Sequence, residues 1–150
     1  MQSVSARPVS AILRAEFASL REDDRLDLVD QVMKLGRVRH LPVLDPAGRL
    51  VGIVSNRDLL EASLTSVLSF ETAQRRGFLR SISVSEVMTR VVETVDPETP
   101  LGVAAARMIS HKIGCLPVVR PDGTMVGLIT ETDLLLAAYL PGTESTSSPA

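Results

Sequence analysis

Residues 41–60 read LPVLDPAGRLVGIVSNRDLL, and residues 116–135 read LPVVRPDGTMVGLITETDLL, the same pattern displaced by 75 positions. Ten of the twenty positions are identical and five more exchange similar residues. A chain that repeats itself at one offset is built from two copies of one supersecondary unit, whose apolar faces bury against each other. Each copy opens with a short Val- and Leu-rich run (residues 41–44 and 116–119), the composition of a buried strand. A turn signal follows, Asp45-Pro46-Ala47-Gly48 or Arg120-Pro121-Asp122-Gly123. Proline second and glycine fourth suit a type I turn, because proline pre-sets the φ of the second residue. A second strand covers residues 50–54 or 125–129. Gly52 and Gly127 interrupt it, which predicts a bulge or something packed close to the backbone. Ser55 and Thr130 then open helices that run through Leu60 and Leu135.

The same offset carries the repeat backwards. Val9-Ser10-Ala11-Ile12-Leu13 faces Val84-Ser85-Glu86-Val87-Met88, and Ser19-Leu20 faces Thr94-Val95. Leu26, Val29 and Met33 fall at i, i+3 and i+7, a helical stripe, as do Leu101, Ala104 and Met108. The order per copy is therefore short helix, strand, helix, strand, strand, helix. Residues 61–82 join the copies, extending the first copy's last helix and adding another, with Leu64, Val67, Leu68, Phe70 and Phe78 as its apolar residues. The division expected is 1–66 for the first motif, 67–82 for a connecting helix, 83–140 for the second motif and 141–150 for a disordered tail with no apolar face.

Bulk properties narrow the functional class. At 150 residues the chain is one domain-sized body, able to bury roughly 68–70% of its unfolded surface. It is 45% apolar and 23% charged, a globular composition. A formal charge of −2 gives no electrostatic reason to expect nucleic acid or an anionic membrane as partner. Cys115 is the only cysteine, which excludes an intramolecular disulfide and fits a reducing cytoplasm. No run approaches eighteen apolar residues, so membrane insertion is not expected. The chain carries two histidines and no G-x-S-x-G, G-x-x-x-x-G-K or H-E-x-x-H pattern, so the reading is not an enzyme. Two scattered histidines, His40 and His111, make no metal site. Cys115 reads as a small core residue, and Arg75-Arg76 with Arg80 as a solvated face.

The hairpin followed by VGIVSNRDLL or VGLITETDLL, with VSEVMTRVVETVDPETPLGVAAARMISHKIGCLPVV upstream, resembles the CBS domain in tandem, a stand-alone Bateman module. The resemblance implies an α/β (α+β) fold of two CBS motifs (β-α-β-β-α type) packed with pseudo-two-fold symmetry. It also implies a regulatory module that binds AMP, ADP or ATP in the cleft between the motifs, S-adenosylmethionine or NAD being alternatives. Other implied properties are a homodimer, an associated enzyme or transporter under regulation, and no required cofactor beyond the nucleotide, with or without Mg²⁺. In the family the motif G-h-x-S/T-x-x-D places an Asp carboxylate on the ribose hydroxyls; here that motif offers Ser55, Arg57 and Asp58, and Thr130 and Asp133. An ionised carboxylate accepts only, and a vicinal diol presents two donors. Phosphate is favoured at a helix N-terminus. Arg39-His40-Leu41-Pro42 partly matches a family run that contacts phosphates, the order of Arg and His being reversed. Thr94-Val95-Asp96-Pro97 matches the family's opening signature, whereas Ser19-Leu20-Arg21-Glu22 lacks the proline, so a site joining Thr94 to Asp58 is expected over one joining Ser19 to Asp133.

A plainer reading stands beside each of these. Ser-x-x-Asp at a helix start is also a capping arrangement, and on residue chemistry alone the cap is the more general use. Arg37 and Arg39 also fit as solvated loop charges. The competing function is a structural dimerisation or protein-interaction module without a nucleotide.

Overall fold

In the computed structural model, which describes residues 3–69 and 77–139, both repeats form an antiparallel hairpin followed by a helix. Strand β1 (His40–Leu44) pairs with β2 (Leu50–Ser55), and β3 (Cys115–Val119) with β4 (Met125–Thr130). The turns close as their sequences require. The Gly48 N–H donates to the Asp45 carbonyl and the Gly123 N–H to the Arg120 carbonyl, both at 2.9 Å. The two glycines have φ of 85° and 91°, a region that only glycine enters freely. Both hairpins slip register at the same place: Val43 faces Gly52 but Leu44 faces Leu50, and Val118 faces Gly127 but Val119 faces Met125. Val51 and Val126 are thus bulge residues, beside the glycines that the sequence singles out.

The helices are α1 (Leu26–Gly36), α2 (Asn56–Ser69), α3 (Val84–Val87), α4 (Leu101–His111) and α5 (Glu131–Tyr139). The expected stripes are buried in α1 (Leu26, Val29, Met33) and α4 (Leu101, Ala104, Met108). Both helices end on a left-handed residue that is not glycine, Arg37 at φ 52° and Lys112 at φ 55°. The short helix expected at each copy's start is a 3₁₀ turn at Val9–Ala11 in the first and α3 in the second. The strand expected next is reduced to one bridging residue. Leu20 lies parallel to Val43, donating to the Pro42 carbonyl and accepting from Leu44, each at 2.8 Å; Val95 makes the same pair of bonds beside Val118, at 3.1 and 2.8 Å. The ladder cannot extend towards the N-terminus, because its next donors there would be the backbone nitrogens of Pro42 and Pro117, which carry no hydrogen. Residues 77–80 are helical, within the expected connecting helix; residues 70–76 and the tail 141–150 lie outside the described residues.

The chain divides into two compact units, a central one of Ala18–Val92 and an outer one of Met1–Phe17 with Glu93–Ala150. In the central unit Leu41, Val43 and Val54 of the hairpin are buried with Leu26, Val29 and Met33 and with Val84 and Met88. In the outer unit Leu116, Val118 and Ile129 are buried with Leu101, Ala104 and Met108 and with Val9 and Ile12. Each copy's leading segment therefore packs on the hairpin of the other copy. The leader joins the edge of that hairpin through a single antiparallel bridge. Thr89 exchanges two backbone hydrogen bonds with Ile53, both 2.9 Å, and Arg14 exchanges two with Leu128, 2.9 and 3.0 Å. Gly52 and Gly127 permit the approach, since a Cβ on Gly52 would lie 2.7 Å from the Met88 sulfur and one on Gly127 2.6 Å from the Arg14 carbonyl oxygen. The boundaries of the repeats in sequence and of the packed units in space are consequently different.

Candidate functional site

The end of β2 and the first turn of α2 hold Ser55 and Asp58 in a reciprocal cap. The Ser55 N–H and hydroxyl both donate to Asp58 Oδ2, at 2.8 and 3.0 Å, and the Asp58 N–H donates to Ser55 Oγ at 3.1 Å. The capping reading of the motif is thus what the geometry contains. It uses one carboxylate oxygen: among the described residues no side chain or backbone donor reaches Oδ1 of Asp58. His40 sits opposite Ser55 across the hairpin. Burial pushes its imidazole below the ordinary 6.5, with the Asp58 carboxylate pulling the other way and Arg39 adding a smaller push downward. Arg57 is exposed at the start of α2. Arg39 is placed differently from its neighbour. With Lys34 and Arg37 it lines a groove of about 380 Å³ between α1 and α2, to which neither His40 nor Asp58 contributes. The structure therefore groups Ser55, Asp58 and His40, with Arg39 lining the neighbouring groove and its charge still felt at His40.

The outer unit repeats the cap with one addition. The Thr130 N–H and hydroxyl donate to Asp133 Oδ2, both at 2.9 Å, and the Asp133 N–H donates to Thr130 Oγ1 at 3.2 Å. Here Oδ1 is also engaged: Arg14 Nε donates to it at 2.8 Å. Asp133 is 5% exposed and is the one charged residue among the buried ones described. Cys115, at the position matching His40, has its thiol pushed up to about 11 by burial, with the Asp133 charge adding to the shift, so it stays protonated at neutral pH. Thr94 also folds in this unit, half-buried, its carbonyl accepting from Arg107 Nη1 at 2.9 Å. Thr94 and Asp58 thus belong to different compact units, as do Ser19 and Asp133.

Arg14 is the residue that sequence reasoning passed over. The 75-residue offset sets Arg14 against Thr89, so a guanidinium stands where the other copy has a hydroxyl. That exchange was the available signal. Among the described residues no three His, Cys, Asp or Glu side chains converge as a metal-binding group, and no helix is long and apolar enough to cross a membrane.

The profile of the CBS domain family matches residues 9–65 and 84–139, two motifs that together cover most of the chain. Solved structures that share both fold and sequence with it include two with adenosine ligands. A structure of CBSX2 in complex with AMP superimposes with a TM-score of 0.74 at 26% identity, over 89% of this chain and 97% of that one. A CBS domain pair in complex with 5′-methylthioadenosine and S-adenosyl-L-methionine gives 0.68 at 26% identity, over 85% and 92%. Homoserine O-acetyltransferase of Methanococcoides burtonii is 32% identical over 126 residues, 84% of this chain but 23% of that protein. The chain spans about a quarter of the length of such relatives, so the match says nothing of acetyl transfer by these residues.

Proposed function

Because the chain belongs to the CBS-domain family, as two motifs in tandem, we propose that it is a regulatory module that senses an adenosine-containing nucleotide through the carboxylates of its Ser/Thr-x-x-Asp motifs. AMP, ADP or ATP is the favoured ligand class. The observation that carries this reading is the Asp58 carboxylate, held rigid by its cap on Oδ2 with Oδ1 left to accept from a sugar hydroxyl. Two related CBS pairs with adenosine ligands support the same chemistry. Ser55 and His40 stand beside Asp58, with Arg57 next to it in the chain. Thr130 and Asp133 offer the matching motif in the outer unit, and Thr94 and Arg39 complete the candidate set. The regulated target is an enzyme or transporter in the cytoplasm, attached or associated; a region of this kind within an acetyltransferase supports the attached arrangement.

Calorimetric and thermal-shift titration with AMP, ADP, ATP and S-adenosylmethionine tests the proposal. Ligand at 100 times its dissociation constant stabilises a fold by about 2.7 kcal/mol, which for this chain length is a melting shift of about 5–10 °C. Asp58→Ala should weaken binding about ten- to a hundred-fold, the scale of one charge-assisted hydrogen bond. Silence from all four ligands would favour the second reading, an interaction module that pairs into a homodimer. That reading draws on the apolar side chains left outside the two cores, Leu35 at 88% exposed, Ile109 at 78% and Tyr139 at 78%.

A further inference from the structure

The two motifs share a cap but not a charge environment. In each, the carboxylate's Oδ2 takes two hydrogen bonds, which fills its two lone pairs. The contrast lies in the remaining oxygen. Asp58 Oδ1 is unengaged among the described residues and Asp58 is half-buried; Asp133 Oδ1 accepts from Arg14 at 2.8 Å and Asp133 is buried. Resting on the nucleotide-sensing reading above, we propose that Arg14 closes the outer motif, so that the chain takes one nucleotide, on Asp58, and the Asp133 carboxylate is occupied by its own guanidinium.

Three observations lead there. A sugar diol needs two acceptor positions, and at Asp133 only one lone pair is left, in a buried place already neutralised by a cation. The Arg14 backbone is paired with Leu128, which keeps the guanidinium within reach of Asp133, although about half of the arginine side chain is exposed. A ligand at Asp133 would therefore have to break a charge-assisted bond first, a loss of about ten- to a hundred-fold in affinity. Finally, the matching position in the central unit is Thr89, whose backbone makes the same two bonds to Ile53 but whose side chain carries no charge. At the second carboxylate oxygen, the asymmetry between the two motifs comes down to one pair of positions, Arg14 and Thr89.

Thr89 also supplies the test, since threonine is already accommodated at this place in the fold. Calorimetric titration of the full chain with AMP and with ATP is expected to give one equivalent for the unaltered protein, bound about ten- to a hundred-fold more weakly in Asp58→Ala. Arg14→Thr should give two equivalents, returning to one in Arg14→Thr/Asp133→Asn. Arg14→Met, which keeps the unbranched stem and removes both the charge and the donor, provides the same gain should the threonine variant fold poorly, as judged by its melting curve. Two equivalents in the unaltered protein would overturn the inference while leaving the nucleotide reading intact. So would folded Arg14 variants that still bind one, or an affinity that Asp58→Ala leaves unchanged. Absence of binding in every variant would overturn both.

Discussion

His40 and Cys115 occupy one position in the two repeats, each opposite the hydroxyl residue that caps the following helix, Ser55 or Thr130. Burial acts on both and always against the charged form, so it lowers the imidazole and raises the thiol. The imidazole gives the central unit a pH dependence whose sign is fixed. His40 is harder to protonate in the folded chain than at its ordinary 6.5, so between 6.5 and the lowered value the unfolded chain binds more protons. Stability is therefore complete above 6.5 and declines as the pH falls from there through the lowered value. His40→Cys, which copies the other repeat, should remove this part of the slope. Urea midpoints measured from about pH 8 down to about pH 5 decide it: parallel curves for the two proteins would clear His40 of the role. The residue scale was also where the sequence was least legible. The Ser-x-x-Asp motif announced a carboxylate beside a hydroxyl, but cap and ligand site use the same atoms. Whether an oxygen is left over depends on Arg14, more than a hundred residues from Asp133 in the chain.

At the scale of elements, the hairpins were readable because everything that makes them is local. A Val- and Leu-rich run, a Pro-x-Gly turn and a second run specify a strand, a reversal and a strand without reference to the rest of the chain. The glycines at the bulges were readable as close approaches, though what approaches them was not. The structure supplies it and ranks the two positions. At Gly52 an added Cβ meets the Met88 side chain, 2.7 Å from sulfur and 3.0 Å from Cγ, and the Thr89 carbonyl oxygen at 3.0 Å. Met is unbranched and adaptable, so most of that clash relaxes by rotamer change. At Gly127 the Cβ meets Leu13 Cδ1, but also the Arg14 carbonyl oxygen at 2.6 Å, an atom fixed in the ladder with Leu128. Gly127→Ala should therefore cost about 2–3 kcal/mol and Gly52→Ala about 1 kcal/mol, within the range for overpacking. Chemical denaturation of the two variants reads the difference directly, and a larger loss at Gly52 would show that Met88 is the more rigid neighbour.

For the whole molecule the repeat predicted two like bodies, and two are present, but the chain is shared between them in a way no periodicity reveals. A leading segment such as Val9-Ser10-Ala11-Ile12 shows in sequence that it has an apolar face; it does not show which of two similar hairpins will cover that face. The covered surfaces match glycine for glycine, so the apolar pattern alone does not name the partner. A consequence can be measured on fragments. Residues 18–92 are continuous in sequence and hold the whole core of the central unit. Residues 1–82, a cut made at the repeat boundary, keep the same hairpin but lack Val84, Met88 and the two hydrogen bonds from Thr89 to Ile53. Burying two such side chains is worth about 3–6 kcal/mol at the usual rate per residue. That is comparable to the entire stability of about 4–11 kcal/mol expected of a 75-residue domain. The shorter fragment, 18–92, should thus unfold cooperatively in urea, whereas 1–82 should show a broad transition or none, despite being longer and containing a complete sequence repeat. If 1–82 proved the more stable of the two, the leader of the first copy would have to cover its own hairpin in isolation, and the exchange would be a choice made only when both copies are present.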